Sequence, residues 1–174
     1  MINEKKTVVV GTLGAGYAAH LHGNGYAKVN GVNVRLKTIC DIKADLAEKV
    51  KAAYGYEQIC TDYDKMLADP EIDVVDIVTP PFNHVAMAVK ALRAGKHVIC
   101  EKPFTVHVDE LKELIALAKQ HNVMLLEAIT NQYYPNYLEL KKQLSRVGSI
   151  HVVSCNYSQY SSRYDAFKRG EVLP

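Results

Sequence analysis

Short apolar runs alternate along the chain with stretches of helical period, and this pattern predicts a parallel sheet covered by helices. The first run, 8–13, is rich in β-branched residues, as expected of a strand that is buried on both faces. The stretch 45–54 has the apolar spacing of a helix, and Gly55 follows it as a glycine commonly does at a helix end. The same criteria predict strands over 8–13, 32–40, 74–78, 97–100 and 123–128, and helices over 45–54, 85–94, 109–121 and 135–146.

The pattern changes near the end of the chain. The part up to residue 147 carries about six parallel strands, an ordinary size for one domain. From Ile150 to Tyr160, apolar and polar positions alternate, which is typical of a strand in an antiparallel sheet. One strand cannot form a sheet alone. We therefore predict an α/β domain over 1–147 and the first strand of an incomplete α+β domain over 148–174.

The composition is that of an ordinary globular protein: 174 residues, 48% hydrophobic and 23% charged, with a formal net charge of +2. No block of Lys or Arg stands out, so there is no electrostatic basis for binding nucleic acid. No apolar run approaches the ~18 residues of a membrane span, and residues 1–6 are too polar to begin a signal peptide. We expect a cytoplasmic protein whose partner is a small molecule, with no nucleic acid and no membrane.

The cysteines and histidines lack the spacing of a disulfide framework or a metal site. The cysteines lie far apart in the sequence, at Cys40, Cys60, Cys100 and Cys155. We expect buried free thiols, since a reducing cytosol also disfavours disulfides. His20 and His22 are two residues apart and would face different directions on a helix, so we expect no metal.

A glycine-rich turn directly follows the first predicted strand. Its sequence, Gly14-Ala15-Gly16-Tyr17-Ala18-Ala19, fits G-x-G-x-x-G/A, the pattern of the Rossmann dinucleotide site. In that pattern Gly14 makes a tight turn, Gly16 lets a pyrophosphate approach, and Ala19 lets the helix pack closely. The free N–H groups at the start of the helix then hold the phosphates. A glycine turn without a ligand is the alternative interpretation.

Two more glycines lie in the helix region that follows this turn. Gly23 and Gly25 are only two residues apart. A glycine costs ~1 kcal/mol in a helix interior. We therefore expect a short or broken helix after the turn.

Asp41 ends the second predicted strand, where an acid binds the adenosine ribose of a dinucleotide. We place Asp41 and the next residue, Ile42, in the cofactor site. A carboxylate here would repel the 2′-phosphate of NADP by ~4 kcal/mol at ~4 Å if the effective dielectric is ~20. NAD is therefore the expected cofactor, and NADP is the second candidate because Lys43 can offset the repulsion. Capping of the next helix is the structural alternative for Asp41.

Three further blocks follow in a specific order: Thr79-Pro80-Pro81-Phe82-Asn83-His84, Ala91-Leu92-Arg93-Ala94-Gly95-Lys96-His97-Val98, and Glu101-Lys102-Pro103. With the glycine turn and the helix 134–144, they make the chain resemble the glucose-fructose oxidoreductase/inositol dehydrogenase family (Gfo/Idh/MocA). The resemblance covers essentially all of residues 7–160. It implies an N-terminal Rossmann domain, a doubly wound parallel sheet with helices on both faces, followed by the first strand of an open, mostly antiparallel domain.

The resemblance also implies roles for individual residues. Lys102 matches the lysine that lies beside the nicotinamide, positions the substrate hydroxyl and eases its proton transfer; without the resemblance it would be taken for a solvated surface lysine. Glu101 matches an acid on the nicotinamide side, and Pro103 matches a proline that shapes the turn, sometimes through a cis bond. The loop past the nicotinamide ribose is matched by Thr79, Pro80, Asn83 and His84. The expected set is therefore Lys102 as catalytic residue, with cofactor contacts from Gly14, Ala15, Gly16, Tyr17, Ala18, Asp41, Ile42, Thr79, Pro80, Asn83, His84, Glu101 and Lys102.

Part of the family's pattern is missing from this sequence. The family's second domain supplies an Asp or His general acid/base from a D-x-x-x-H-like segment, expected beyond residue 174. The leading interpretation is thus the NAD(P)-binding part of an oxidoreductase that moves a hydride between nicotinamide and an alcohol carbon of a sugar, cyclitol or related diol. By itself this chain should turn over its substrate poorly.

Two other functions stay open at this point. The chain can be a non-catalytic dinucleotide-binding module for sensing or assembly, or an α/β protein with no ligand. We also expect a homo-oligomer, because an unpaired strand over 150–160 would pair with another copy.

Overall fold

The structure is a computed structural model of the chain, and it describes residues 6–158, 160–161 and 164–171. The chain divides into two compact units, one ending at Thr130 and the other beginning at Asn131. This division falls earlier than the predicted boundary between 147 and 148, which stays a prediction. Within the described ranges, no helix is both long and apolar enough to cross a bilayer.

The first unit is a six-stranded parallel sheet with helical connections. Its strands are β1 (Thr7–Leu13), β2 (Asn33–Cys40), β3 (Gln58–Cys60), β4 (Val74–Ile77), β5 (His97–Cys100) and β6 (Leu125–Glu127). The helices between them are α1 (Tyr17–Tyr26), α2 (Ala44–Tyr54), α3 (Tyr63–Leu67), α4 (His84–Arg93) and α5 (Val108–Gln120). The strand order is β3-β2-β1-β4-β5-β6, with every neighbouring pair parallel. This confirms the predicted doubly wound sheet.

Helices cover both faces of this sheet, and two apolar clusters lie on it. One cluster joins the strands to α4 and α5 through residues such as Leu92 and Leu114. The other joins them to α1 and α2 through Ala19, Ala47 and Val50. Ile39 and Cys40, neighbours on β2, belong to opposite clusters. The strands are therefore buried on both sides, as their continuous apolar runs predict.

Helix α1 runs without interruption through Gly23 and Gly25 and ends at Tyr26, so it is short, with ten residues, but not broken. Tertiary packing outweighs the low helix propensity of glycine here. A Cβ on Gly23 would lie 2.7 Å from ring carbons of Tyr54 at the end of α2. Gly23 is thus the residue that lets the two helices approach.

The second unit contains α6 (Pro135–Gln143) and a short helix, α7 (Tyr164–Lys168). The described residues between 150 and 161 form no strand, which differs from the prediction of one over 150–160. Residue 159 lies outside the described residues. An alternating sequence becomes a strand only where another strand accepts its hydrogen bonds, and the described part of this unit contains none.

The cysteines are free, as predicted, but they are not all buried. Cys40 and Cys100 are buried in the sheet, Cys60 is half-buried, and Cys155 is exposed. The burial prediction fails for Cys155 because the strand expected to contain it does not form. Burial raises the pKa of the Cys40 thiol to about 12, so this thiol stays protonated at neutral pH.

Candidate functional site

The predicted site segments all follow the carboxyl ends of neighbouring strands. The glycine turn follows β1, Asp41 follows β2, the loop 79–83 follows β4, and Glu101-Lys102-Pro103 follows β5. The sheet winds in opposite directions from β1 and β4, so its switch point lies between these two strands. In open α/β sheets, ligands bind in the crevice at the carboxyl ends beside such a point. The sheet therefore brings the predicted segments to one edge.

The glycine turn is held tightly against the neighbouring strands. Gly14 has a φ of +104°, and a Cβ there would lie 3.0 Å from the backbone of Val78 after β4. Its N–H donates to the carbonyl of Cys40 at 2.7 Å. Both its positive φ and its close contacts thus require glycine at position 14.

Gly16 is different, because a Cβ on it would meet no atom within 4 Å. It is the N-cap residue of α1, and the first N–H groups of a helix have no acceptor within the helix. Open space beside these groups fits a pyrophosphate bound at a helix N-terminus. Ala19 is fully buried against the sheet, as the pattern requires. Of the other motif residues, Ala15 is buried, Ala18 half-buried and Tyr17 79% exposed.

Asp41 lies beside this turn and holds it. One carboxylate oxygen accepts the N–H of Ala15 at 2.7 Å, and the other accepts the N–H of Lys43 at 2.8 Å. Lys43, not Asp41, is the N-cap residue of α2. The half-buried carboxylate thus lies just after β2, beside the glycine turn, and the next residue, Ile42, is 88% exposed.

The loop after β4 is held from the inside by His84. Its ring nitrogens lie 2.8 Å from the carbonyl oxygens of Thr79 and Pro103. His84 is fully buried and supports the loop from within, and its predicted contact with a cofactor stays a prediction. Its predicted neighbours sit nearer the surface: Thr79 and Asn83 are half-buried, and Pro80 is exposed. Among the buried side-chain atoms that the structure describes, the Thr79 hydroxyl oxygen lacks a hydrogen-bond partner.

The turn after β5 carries Glu101, Lys102 and Pro103. The N–H of Glu101 donates to the carbonyl of Ile77 at 2.9 Å, which ties the turn to the end of β4. One oxygen of the Glu101 carboxylate accepts the N–H of Lys102 at 3.0 Å. The peptide bond between Lys102 and Pro103 is cis. The Lys102 side chain is exposed, in the turn that follows β5 at this edge of the sheet.

Sequence reasoning missed a charged cluster behind this turn. His22 of α1 lies between the carboxylates of Asp76 and Glu101, and the hydroxyl of Tyr26 donates to Asp76 at 2.8 Å. Asp76 is fully buried in the middle of β4. The signal was present in the sequence: a buried charge within the apolar run 74–78 needs a partner.

Glu127, at the end of β6, holds the same turn from another side. Its carboxylate accepts the N–H of Phe104 at 2.7 Å. Phe104 is itself buried, so the turn after β5 is held on the side of β6 as well.

The fold and this edge define a dinucleotide-binding protein of the Rossmann class. The model of the oxidoreductase family with an NAD-binding Rossmann fold (GFO_IDH_MocA) matches residues 6–130. The chain belongs to this family.

The similar proteins include sugar and cyclitol dehydrogenases. The scyllo-inositol 2-dehydrogenase (NADP(+)) IolU of Bacillus subtilis is 38% identical over 139 residues, which is 80% of this chain and 42% of that protein. A crystal structure of scyllo-inositol dehydrogenase from Lactobacillus casei, with NAD(H) and scyllo-inositol, has a TM-score of 0.73 at 26% identity. It is matched over 81% of this chain and 42% of that chain.

A levoglucosan dehydrogenase in complex with NADH and levoglucosan has a TM-score of 0.75 at 29% identity, over 81% of this chain and 40% of that chain. The chain thus spans about two fifths of the length of these relatives. The matched portion holds the NAD-binding fold of the family.

Proposed function

We propose that this chain is the nucleotide-binding part of an oxidoreductase that transfers a hydride between a nicotinamide cofactor and an alcohol carbon of a sugar, cyclitol or related diol. The observation that carries the proposal is the single crevice edge at which the glycine turn, Asp41 and the Glu101-Lys102-Pro103 turn meet. The relatives named above act on inositol and levoglucosan, which supports a polyol or sugar substrate.

Some residues of this edge bind the cofactor, and Lys102 acts on the substrate. The N-terminus of α1 and the open space at Gly16 hold the pyrophosphate, and Asp41 binds the adenosine ribose. The nicotinamide of the bound cofactor accepts or gives the hydride. Exposed Lys102 orients the substrate hydroxyl. Its ammonium stabilises the negative charge that develops on that oxygen as the hydroxyl proton passes to a general base, the role that the resemblance assigns to the family's second domain. Exclusion of bulk water strengthens this stabilisation.

Dinucleotide binding is tested first with this chain and a matched pair of glycine variants. Gly16 and Gly25 lie at opposite ends of α1, and a Cβ at either would meet no atom within 4 Å. We expect saturable NADH binding, followed by nicotinamide fluorescence. Gly16→Ala should weaken it by about tenfold or more, because the methyl group takes the space of the pyrophosphate. Gly25→Ala should leave it unchanged. Absence of saturable binding to NADH and NADPH would overturn the proposal.

The catalytic part of the proposal is tested by Lys102→Met. In a protein that joins this chain to the family's second domain, we expect turnover of scyllo-inositol or levoglucosan with NAD or NADP to fall by about a hundredfold or more. NADH affinity should stay within about threefold of the wild type. Unchanged turnover would remove Lys102 from the chemistry and would favour a non-catalytic dinucleotide-binding module.

A further inference from the structure

His22 occupies an unusual position between two acidic residues of the sheet edge. Its Nδ1 lies 3.0 Å from both carboxylate oxygens of Asp76, and its Nε2 lies 3.1 Å from Oε1 of Glu101. The side chain of Asp76 is fully buried, whereas those of His22 and Glu101 are 14% and 19% exposed. The imidazole thus connects an interior charge to the turn that carries Lys102.

The hydrogen-bond chemistry fixes the charge of this ring. An ionised carboxylate can only accept, so an imidazole nitrogen that bonds to one must donate, and His22 does so at both nitrogens. It is therefore an imidazolium, the cation that a buried carboxylate such as Asp76 requires. Burial alone would lower the pKa of His22, but its hydrogen bonds and charge interactions with Asp76 and Glu101 outweigh burial and raise it to about 9.

The position of Glu101 depends on this cation. Its Oε2 accepts the N–H of Lys102 at 3.0 Å, so the carboxylate is fixed by His22 on one side and by the turn on the other. Without a cation between them, the carboxylates of Glu101 and Asp76 would repel each other in a poorly solvated site. The Glu101 carboxylate would then leave the interior and release the Lys102 N–H.

We infer that His22 is a positioning residue: as an imidazolium it bridges Asp76 and Glu101, and so orients the turn that presents Lys102 to the cofactor crevice. The effect of this bridge on Lys102 rests on the proposed function, whereas the contacts of His22 with Asp76 and Glu101 do not. The bridge also joins α1, whose N-terminus faces the phosphate site, to the turn after β5. Cofactor binding and Lys102 orientation are thereby connected through one side chain.

Two variants separate the halves of the bridge. In His22→Asn the amide nitrogen takes the place of Nδ1, which keeps the bond to Asp76 and loses the bond to Glu101. In His22→Gln the amide nitrogen takes the place of Nε2, which keeps the bond to Glu101 and loses the one to Asp76. His20→Asn is the matched control, because His20 lies on the same helix and its ring contacts only the uncharged Tyr54 hydroxyl among the hydrogen bonds of the described structure.

Each variant is examined by three measurements: the Lys102 amide resonance in NMR spectra of the chain, its NADH affinity, and its denaturation midpoint. We expect His22→Asn to shift the Lys102 amide and to weaken NADH binding by about tenfold, with a smaller loss of stability than in His22→Gln because Asp76 keeps a neutral donor. His22→Gln keeps a donor to Glu101, so it should disturb the Lys102 amide and the NADH affinity less than His22→Asn does. It should lower the midpoint more, since Asp76 then keeps Tyr26 as its remaining donor.

The relative severity of the two variants in each measurement distinguishes a positioning role from a merely structural one. If His22 only neutralised Asp76, His22→Gln would be the worse variant in every measurement, and this outcome would overturn the inference. An unchanged Lys102 amide in His22→Asn would overturn it as well. If His22→Asn shifts the Lys102 amide more than His22→Gln does, while no form of the chain binds NADH or NADPH, the bridge is supported and the proposed function is wrong.

The wild-type chain offers a test that needs no variant. The groups that face His22 are Asp76 from β4, Glu101 after β5, and Tyr26 from α1, which bonds to Asp76. Burial and the charge of Asp76 hold the pKa of Tyr26 well above its ordinary value of 10, so Tyr26 stays neutral where His22 titrates. The Lys102 amide and the His22 ring should therefore titrate together, with an apparent pKa of about 9. A Lys102 amide that does not follow the His22 ring would contradict the bridge.

Discussion

The side chain of Asp41 connects the glycine turn to the start of α2. Its carboxylate accepts one N–H from the glycine turn and one from the start of α2. These bonds orient the group before any ligand arrives, and each oxygen has a further lone pair for a ribose hydroxyl. The same fixed negative charge opposes a ribose 2′-phosphate.

Asp41→Asn should therefore change the choice between the two dinucleotides. We expect the affinity for NADPH relative to NADH to rise by about tenfold, because the repulsion disappears and Lys43 remains. Parallel fluorescence titrations with NADH and NADPH measure the ratio. Asp45→Asn, which removes an exposed carboxylate from the first turn of α2, should leave it unchanged. A wild-type chain that already prefers NADPH would show that Lys43 outweighs Asp41.

The residues of the site differ in how far sequence could identify them. Gly14, Gly16 and Asp41 were predictable because local backbone requirements fix their spacing. His22 was not, since its partners lie 54 and 79 residues away and meet it only after the sheet forms. The motif places His84 in the cofactor loop, and only the packing reveals that its ring is buried.

Helix α1 depends on its packing at Gly23 more than on its own propensity. The methyl group of an alanine there would overlap the ring of Tyr54. This contact makes the crossing of α1 and α2 close, and α2 in turn follows Asp41. The position of the phosphate-binding helix is therefore set partly at its far end.

Gly23→Ala and Gly25→Ala should have opposite effects on stability. Alanine raises helix propensity by up to ~1 kcal/mol at either position. At position 23 the overlap with Tyr54 should exceed that gain and lower the free energy of unfolding by about 1 to 3 kcal/mol. At position 25, where a Cβ would meet no atom within 4 Å, a small increase is expected. Urea denaturation of both variants measures the difference, and a stabilised Gly23→Ala would show that Tyr54 moves aside freely.

The attachment of α1 to β4 should weaken at high pH. Despite the lowering effect of burial, Asp76 and Glu101 raise the pKa of His22 from 6.5 to about 9. A raised pKa in the folded state adds stability that is complete below about pH 6.5 and is lost as the pH rises through about 9. Between about pH 6 and pH 10 the wild type should lose about 2 to 3 kcal/mol more of its unfolding free energy than His22→Gln. Urea denaturation at both pH values measures this, and equal losses would contradict it.

Elements buried on both faces were the most predictable. Their apolar runs need no knowledge of neighbours, and β1, β2, β4 and β5 lie close to where the pattern places them. The run 150–160 has an equally regular pattern but forms no strand in its described residues. Alternation specifies which face of a strand is apolar, whereas the hydrogen bonds that make it a strand must come from another segment.

At the scale of the whole molecule, the second unit leaves apolar side chains in water. Those with at least half of their surface exposed include Val147, Ile150, Val152, Val153, Tyr157 and Tyr160. Exposed apolar groups in such number favour association. The prediction of a homo-oligomer therefore keeps a physical basis, although the strand expected to mediate it is not formed.

Sedimentation velocity over a range of concentrations tests this association. We expect the wild-type chain to sediment faster as its concentration rises. Val152→Lys should suppress the effect, because a charge in an apolar contact opposes its desolvation. Val106→Lys, a comparably exposed apolar position in the first unit, should not. A monomer at all concentrations would remove the oligomer prediction.

The buried ring of His84 has a consequence for how fast the crevice edge rearranges. It contacts the carbonyl of Thr79 after β4 and that of Pro103 after β5, so either loop loses a contact with this one ring when it swings outward. The two loops should open as one unit, and their amide protons should exchange with solvent at a common rate. Entry and departure of a bound molecule would then follow a single relaxation, with its rate set by the rupture of this shared contact.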